Sequence, residues 1–255
     1  MLLAIDAGNT NIVFALFDGL ELKGQWRRDS RQPQSHDDLA VWLAQAFALS
    51  GFGLDLVDEA IIANVVPEFE HALITLASHN LNVPSRMVGR DALDFGFENR
   101  AARPHDVGAD RLVNGVAGQA FYGKPLVVVD FGTATSFDFF CSNGDFIGGI
   151  IAPGVHLSRD GLAHAAARLP HVDITRTEQL IGRDTRSAMQ SGLYWGYVAM
   201  IQGLLDRALR ESELSGVHIV ATGGLGEVFI SALPELKAFD PNLTVKGLAL
   251  LHARS

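Results

Sequence analysis

The N-terminal stretch "LLAIDAGNTNIVFALFDG" runs apolar, breaks over Asp6, Gly8, Asn9 and Thr10, and then turns apolar again. Short apolar runs bounded by Asp, Gly and Asn predict strands joined by turns, with a third strand after the "DG" turn. The pattern returns in "VVVDFGTATSFDFFCSNGDFIGG": Asp130 answers Asp6, Gly132 answers Gly8, Asp145 answers Glu21 and Gly148 answers Gly24, all at an offset of 124. A register shared over the whole stretch predicts an internal duplication of a β-β-β opening. Helical spacing follows each copy. Residues 36–50, acidic at their start, predict a helix, as do "EFEHALITLASHN" and "GADRLVNGVAGQAFY". "EAIIANVVP" predicts a buried strand stopped by Pro67. In the second half "TRSAMQSGLYWGYVAMIQGLLDRALRES" predicts a long helix with more apolar surface than one amphipathic face needs, and "VHIVATGGLG" a strand entering a glycine turn. Each half alternates a meandering sheet with helices, an α/β pattern. "FYGKP" marks the boundary between two expected domains, 1–120 and 121–255.

Composition narrows the class. A chain of 255 residues, 48% hydrophobic and 19% charged, reads as a compact soluble protein of one large or two small domains. Its net charge of -9, with Arg27 and Arg28 a pair and not a patch, argues against a nucleic-acid surface. The single cysteine, Cys141, permits no internal disulfide and points to a cytoplasmic setting and a packing role. Asp6 interrupts the first apolar run too early for a signal peptide, and no apolar stretch reaches the roughly 18 residues needed to span a bilayer. The nine histidines form no H-E-x-x-H pair, so no zinc site is expected and His156 is read as structural. Tyr194, Trp195 and Tyr197 are expected in core or dimer packing.

Three loops carry the candidate chemistry: "DAGNT" (6–10), "DFGTAT" (130–135) and "ATGGLG" (221–226). Each follows a strand and mixes glycine with hydroxyls or amides, the makings of an anion cradle or of a plain structural turn. Two of them belong to the repeat, which favours phosphate. A carboxylate beside phosphate requires a cation between them, so Asp6 and Asp130 imply metal ions. The four lysines, Lys23, Lys124, Lys237 and Lys246, all lie outside these loops. There is no P-loop, and no G-x-G-x-x-G opening a helix. Triphosphate charge would then be met by metals and backbone dipoles. In "PHDVGADRLVNG", Asp110 and Arg111 stand at a helix start behind Gly108. The arginine predicts an ionised carboxylate. That carboxylate is either a helix cap with a surface ion pair or the base of a phosphoryl transfer, whose loose transition state asks little of it.

"DAGNTNI", "VGADRLVN", "DFGTATSFD" and "GGIIAPG", in that order and followed by "DTRSAMQSG", resemble the type III pantothenate kinases. These belong to the superfamily of acetate and sugar kinases, Hsp70 and actin, and the resemblance covers essentially the whole chain. It implies duplicated actin-like (ribonuclease H-like) domains, each a mixed sheet with a β-β-β opening and flanking helices. It implies ATP-dependent phosphorylation of pantothenate to 4'-phosphopantothenate, the first step of coenzyme A biosynthesis. On this chain Asp6, Ala7, Gly8, Asn9, Thr10, Asn11, Ile12 and Val13 would line the ATP phosphates, Asp6 near Mg²⁺, with Thr133 touching ATP and "ATGGLG" on the adenosine side. Asp110 would be the general base. Gly108, Ala109, Asp110 and Arg111 would contact pantothenate, the Arg111 fork suiting its carboxylate. Asp130 would ligate a monovalent cation, K⁺ or NH₄⁺, and Thr185 would reach the substrate site of the neighbour in a homodimer. One position departs from the family: where many members place a pocket tyrosine this chain has Ala101, for which another aromatic such as Phe97, or an altered loop, could compensate. Two other readings stand beside this one, a regulatory accessory factor of the same family and a same-fold kinase for another small hydroxyl compound.

Overall fold

The computed structural model describes residues 1–32, 34–166 and 169–254 and divides into two units, Met1–Phe121 with Asn242–Ser255, and Tyr122–Pro241. In the first, β1 (Leu2–Ala7), β2 (Asn11–Asp18) and β3 (Glu21–Asp29) form an antiparallel meander. β4 (Glu59–Asn64) and β5 (Ser85–Met87) extend it with parallel pairing, in the order β3-β2-β1-β4-β5. The central strand is covered on both faces, which is why it reads as an unbroken apolar run. Leu3, Ile5 and Ala7 pack with Leu39, Leu43 and Phe47 of α1 (His36–Leu49). Leu2 and Ala4 pack with Val113 and Val116 of α3 (Ala109–Tyr122). α1 opens on a capping box in which the Ser35 side chain accepts from Asp38 N–H and the Asp38 carboxylate accepts from Ser35 N–H.

The helix expected in "EFEHALITLASHN" is irregular. It begins as a 3-10 turn (Pro67–Phe69), continues as α2 (Glu70–Thr75) and ends in a wide π turn (Leu76–Asn80). That turn delivers Asn80 to the start of α1, where its Nδ2 donates to Asp37 Oδ1 at 3.0 Å.

The second unit repeats the topology strand for strand. β6 (Leu126–Phe131), β7 (Ala134–Phe140), β8 (Phe146–Pro153), β9 (His218–Thr222) and β10 (Ala238–Phe239) lie in the order β10-β9-β6-β7-β8. The predicted duplication is therefore present in the fold. The offset of 124 links β1 to β6, but β2 and β7 are related by 123, because the turn 8–10 has three residues and the turn 132–133 has two. The register shift between Leu16 and Phe17 recurs between Phe139 and Phe140.

Two of the helices absent from the sequence expectation complete the units. α4 (Val155–Ala165) buries only Val155 and so carries no apolar stripe to read. α7 (Leu243–Arg254) places Val245, Leu248 and Leu251 on the first sheet, against β1 and β4. The last helix thus belongs with residues 1–121, a difference from a second domain running to 255. α5 (Thr185–Ser212) also differs from expectation. Tyr194, Tyr197, Val198, Ile201 and Leu205 join Val127, Val129 and Phe131 in a core of its own unit, so most of its surplus apolar surface is used there. Just ahead of the helix, Leu180 and Ile181 are among the exposed apolar side chains. Among the described residues no helix is long and apolar enough to cross a membrane.

α3 and α7 meet at a glycine. A Cβ on Gly247 would stand 2.3 Å from the Val113 carbonyl oxygen, and Thr244 Oγ1 donates to Asn114 Oδ1 at 2.8 Å beside it. Gly247→Ala is expected to lower stability by about 1–3 kcal/mol, read as a lower denaturant midpoint at unchanged slope. A wild-type midpoint would mean that the two helices separate without cost.

Candidate active site

Between β1 and β2 the residues Gly8, Asn9 and Thr10 turn the chain, closed by Gly8 N–H donating to Asn11 O at 3.0 Å. Ser30, at the end of β3 and 7% exposed, grips this turn from behind: its N–H donates to Thr10 O at 3.0 Å and its Oγ to Gly8 O at 2.7 Å. Both carbonyls are thereby engaged on the protein side. That suits an anion-facing turn, where an outward carbonyl would repel phosphate. Ser30 had no signal in the sequence beyond its place after the third strand. Asp6 sits at the end of β1 opposite Val13, half-buried, while Asn9 and Thr10 are exposed at the tip.

The second turn is more crowded. Asp130 ends β6 between Ser136 of β7 and Thr222 of β9. A Cβ on Gly154 would lie 2.3 Å from Thr133 O, and a Cβ on Gly223, at φ +89°, would lie 2.5 Å from Asp130 Oδ1. The glycines of "APG" and "TGG" are therefore required by close approach. They bring Asp130, Thr133 and the third loop, which leads into α6 (Gly226–Ile230), into one place. Among the described residues no group of three or more His, Cys, Asp or Glu is arranged to hold a metal ion. Asp6 and Asp130 each offer a carboxylate at a turn. Such oxygen donors fit a hard cation that takes its other ligands from phosphate and water.

In the first unit a cavity of about 730 Å³ opens beside the start of α3, bordered by Asn64, His105, Gly108 and Ala109. Phe95 and Phe97, ring centroids 5.8 Å apart, give it an aromatic wall. Asp110 follows directly on the helix. Its Oδ1 accepts from Arg111 N–H at 2.8 Å and lies so close to Gly108 that a Cβ there would be 2.6 Å away. "GAD" is thus one packed feature. Burial raises the Asp110 carboxyl above its ordinary value, and hydrogen bonding from the Arg111 backbone and the Arg111 charge only partly offset this. This corrects the expectation of a strongly ionised acid held down by its arginine neighbour: loss of hydration outweighs the adjacent charge. Thr185 belongs to the second unit, exposed at the first turn of α5, where it borders an apolar cavity of about 630 Å³ with Leu162, Met189 and Leu193.

Two five-stranded mixed sheets of identical order, each with an aspartate at the end of its central strand, define the class: an α/β protein of the actin-like kinase fold. Solved structures of this fold cover almost the whole chain. A protein described as a Baf family transcriptional activator from Campylobacter jejuni matches with TM-score 0.62 and 19% identity over 98% of this chain and 97% of its own. One described as an N-acetylmannosamine kinase from Listeria monocytogenes matches with TM-score 0.56 and 13% identity over 100% and 99%. At these identities the likeness is one of fold. The profile of the type III pantothenate kinases matches residues 2–207. The type III pantothenate kinase of Paramagnetospirillum magneticum is 46% identical over 255 residues, 100% of this chain and 98% of that one. The chain belongs to the type III pantothenate kinase family.

The raised Asp110 pKa has a consequence for stability. A carboxyl whose folded value exceeds its unfolded value stabilises the fold fully below the unfolded pKa, near 3.8, and that contribution is lost as pH rises through the folded value. Above the unfolded pKa the Asp110 carboxyl therefore weakens the apo protein. Asp110→Asn is expected to melt higher at pH 7, by about 2–4 °C for each kcal/mol relieved, with the gap closing in acid. An unchanged or lower melting temperature at pH 7 would show that burial does not dominate.

Proposed function

We propose that Asp110 is the general base with which this chain phosphorylates pantothenate from ATP, the entry step of coenzyme A synthesis. As a member of its family the chain is a kinase, with ATP as donor and a divalent metal ion alongside it. The observation that carries the assignment is the Asp110 carboxylate, partly desolvated at the start of α3 beside the aromatic-walled cavity. In the reaction the pantothenate hydroxyl oxygen forms a bond to the γ-phosphorus. The bond from that phosphorus to the β–γ bridging oxygen breaks, its electron pair leaving with ADP, and the hydroxyl proton passes to Asp110. Raised basicity helps a carboxylate that accepts a proton in this work. Gly108 and Ala109 form the near wall, and Arg111 offers its fork to the pantothenate carboxylate.

The donor side is assigned to the turns. Residues 6–13 and Thr133 take the ATP phosphates, with Asp6 towards Mg²⁺ and Asp130 towards K⁺ or NH₄⁺. A bound cation supplies the charge that a lysine supplies in other phosphate loops, and no lysine lies in these three loops. Thr185 completes the pantothenate site of a second copy in a two-fold dimer. In support, Leu180 and Ile181, shortly before Thr185 in the chain, are apolar side chains 67% and 82% exposed.

Asp110→Asn is expected to lower kcat by ~10²–10⁴-fold with ATP affinity retained, measured by a coupled assay and nucleotide titration; near-normal turnover would remove Asp110 from the role. Asp130→Ala is expected to abolish activation by K⁺ in a folded protein. Wild-type enzyme equally active in Na⁺ or a bulky organic cation would contradict that assignment.

A further inference from the structure

The first phosphate turn is tied down by Ser30, whose hydroxyl and amide hold the carbonyls of Gly8 and Thr10. At the offset of 124 the residue answering Ser30 is Gly154, which has no side chain to offer. We propose that Tyr197 of α5 is the positioning residue that takes over this task, its hydroxyl fastening the 130–135 turn to the start of α4. The inference rests on Asp130 and Thr133 being the cation and ATP contacts.

Gly154 is the N-cap of α4 and caps nothing with a side chain, so the first N–H groups of the helix need an outside acceptor. The Tyr197 hydroxyl faces this helix start, where the Val155 backbone lowers its pKa. The same hydroxyl shares a hydrogen bond with Thr135 Oγ1, a side chain with no solvent exposure. One phenol group, with one proton and two lone pairs, thereby bonds a buried hydroxyl on β7 while facing the helix end. Between these contacts the backbone of Gly154 lies directly on Gly132 and Thr133, where a Cβ would come within 2.8 Å and 2.3 Å of their carbonyl oxygens. The turn is thus clamped between α4 and Tyr197. The ring itself is fixed by Phe131 and Phe229, with centroids at 6.2 Å and 4.7 Å. Burial, aided by the Asp130 charge, pushes the phenol up to about 12, so it remains a neutral donor and acceptor throughout the physiological range.

Tyr194, one turn earlier, provides the control. It is fully buried in the same aromatic cluster, but its hydroxyl donates to Val228 O at 3.4 Å, away from the turn. Steady-state kinetics of full-length Tyr197→Phe should show KM for ATP and the half-activating K⁺ concentration raised by about tenfold, the scale of one lost hydrogen bond. kcat at saturation and KM for pantothenate should change by less than about twofold. Thr135→Val should match it, the pair being less than additive, and Thr135→Ser should restore wild-type constants. Tyr194→Phe should lose thermal stability without moving any of these constants. Wild-type ATP and K⁺ constants in Tyr197→Phe, or an equal rise in Tyr194→Phe, would overturn the inference, and if Tyr197→Phe does not accumulate folded, Thr135→Val decides it. Asp130→Ala is run alongside. If it keeps full K⁺ dependence, the reading of Asp130 falls and this inference with it. If it loses the K⁺ response while Tyr197→Phe and Thr135→Val behave as wild type, only this inference falls.

Discussion

β1 and β6 lie at the centre of their sheets, apolar on both faces, and each has to deliver one aspartate to its end without burying the charge. The turn that follows resolves the conflict. It lifts Asp6 and Asp130 to half-buried positions and brings a glycine two residues on, so that the backbone bends tightly beside them. Everything else in each unit serves that arrangement. The meander strands hold the turn from one side, the parallel strands β4 and β9 hold it from the other, and the helices cover the faces. Because each carboxylate sits at the rim and not in the core, it stays available to the cation proposed there.

On the proposed role, a turn that takes phosphate with no lysine in it depends on the direction of its own dipoles, and dipoles must be held in place by something behind them. In the first unit that something is a single buried serine at the end of β3. In the second it is a glycine contact supplemented by a tyrosine from a helix much later in the chain. Duplication preserved the sheet but not the brace. The two halves reach the same end with different side chains.

On its proposed role as base, Asp110 illustrates the tension between stability and activity. Its carboxylate is crowded against Gly108 and loses hydration, at a cost to the fold when ionised. The same loss of hydration raises its basicity, which a proton acceptor in a phosphoryl transfer can use. Gly108 is what permits this, since any side chain there would displace the carboxylate.

The sequence by itself determined what local patterning controls. It carried the β-β-β opening and its repeat, the helices at 36–49, 109–122 and 185–212, and the ordered motifs of the family. These follow from apolar runs, caps and glycine turns, which act over a few residues. Tertiary structure alone decided the rest. Arg111 is visible beside Asp110 in the sequence, but the packing that outweighs it is not, and so the direction of the pKa shift was not legible. α7 joins the first sheet because that face needed cover, something no property of residues 243–254 announces. Ser30 reaches Gly8 across 22 positions and Tyr197 reaches Thr135 across 62. Such contacts arise from burial summed over distant segments, and burial exists only once the chain is folded.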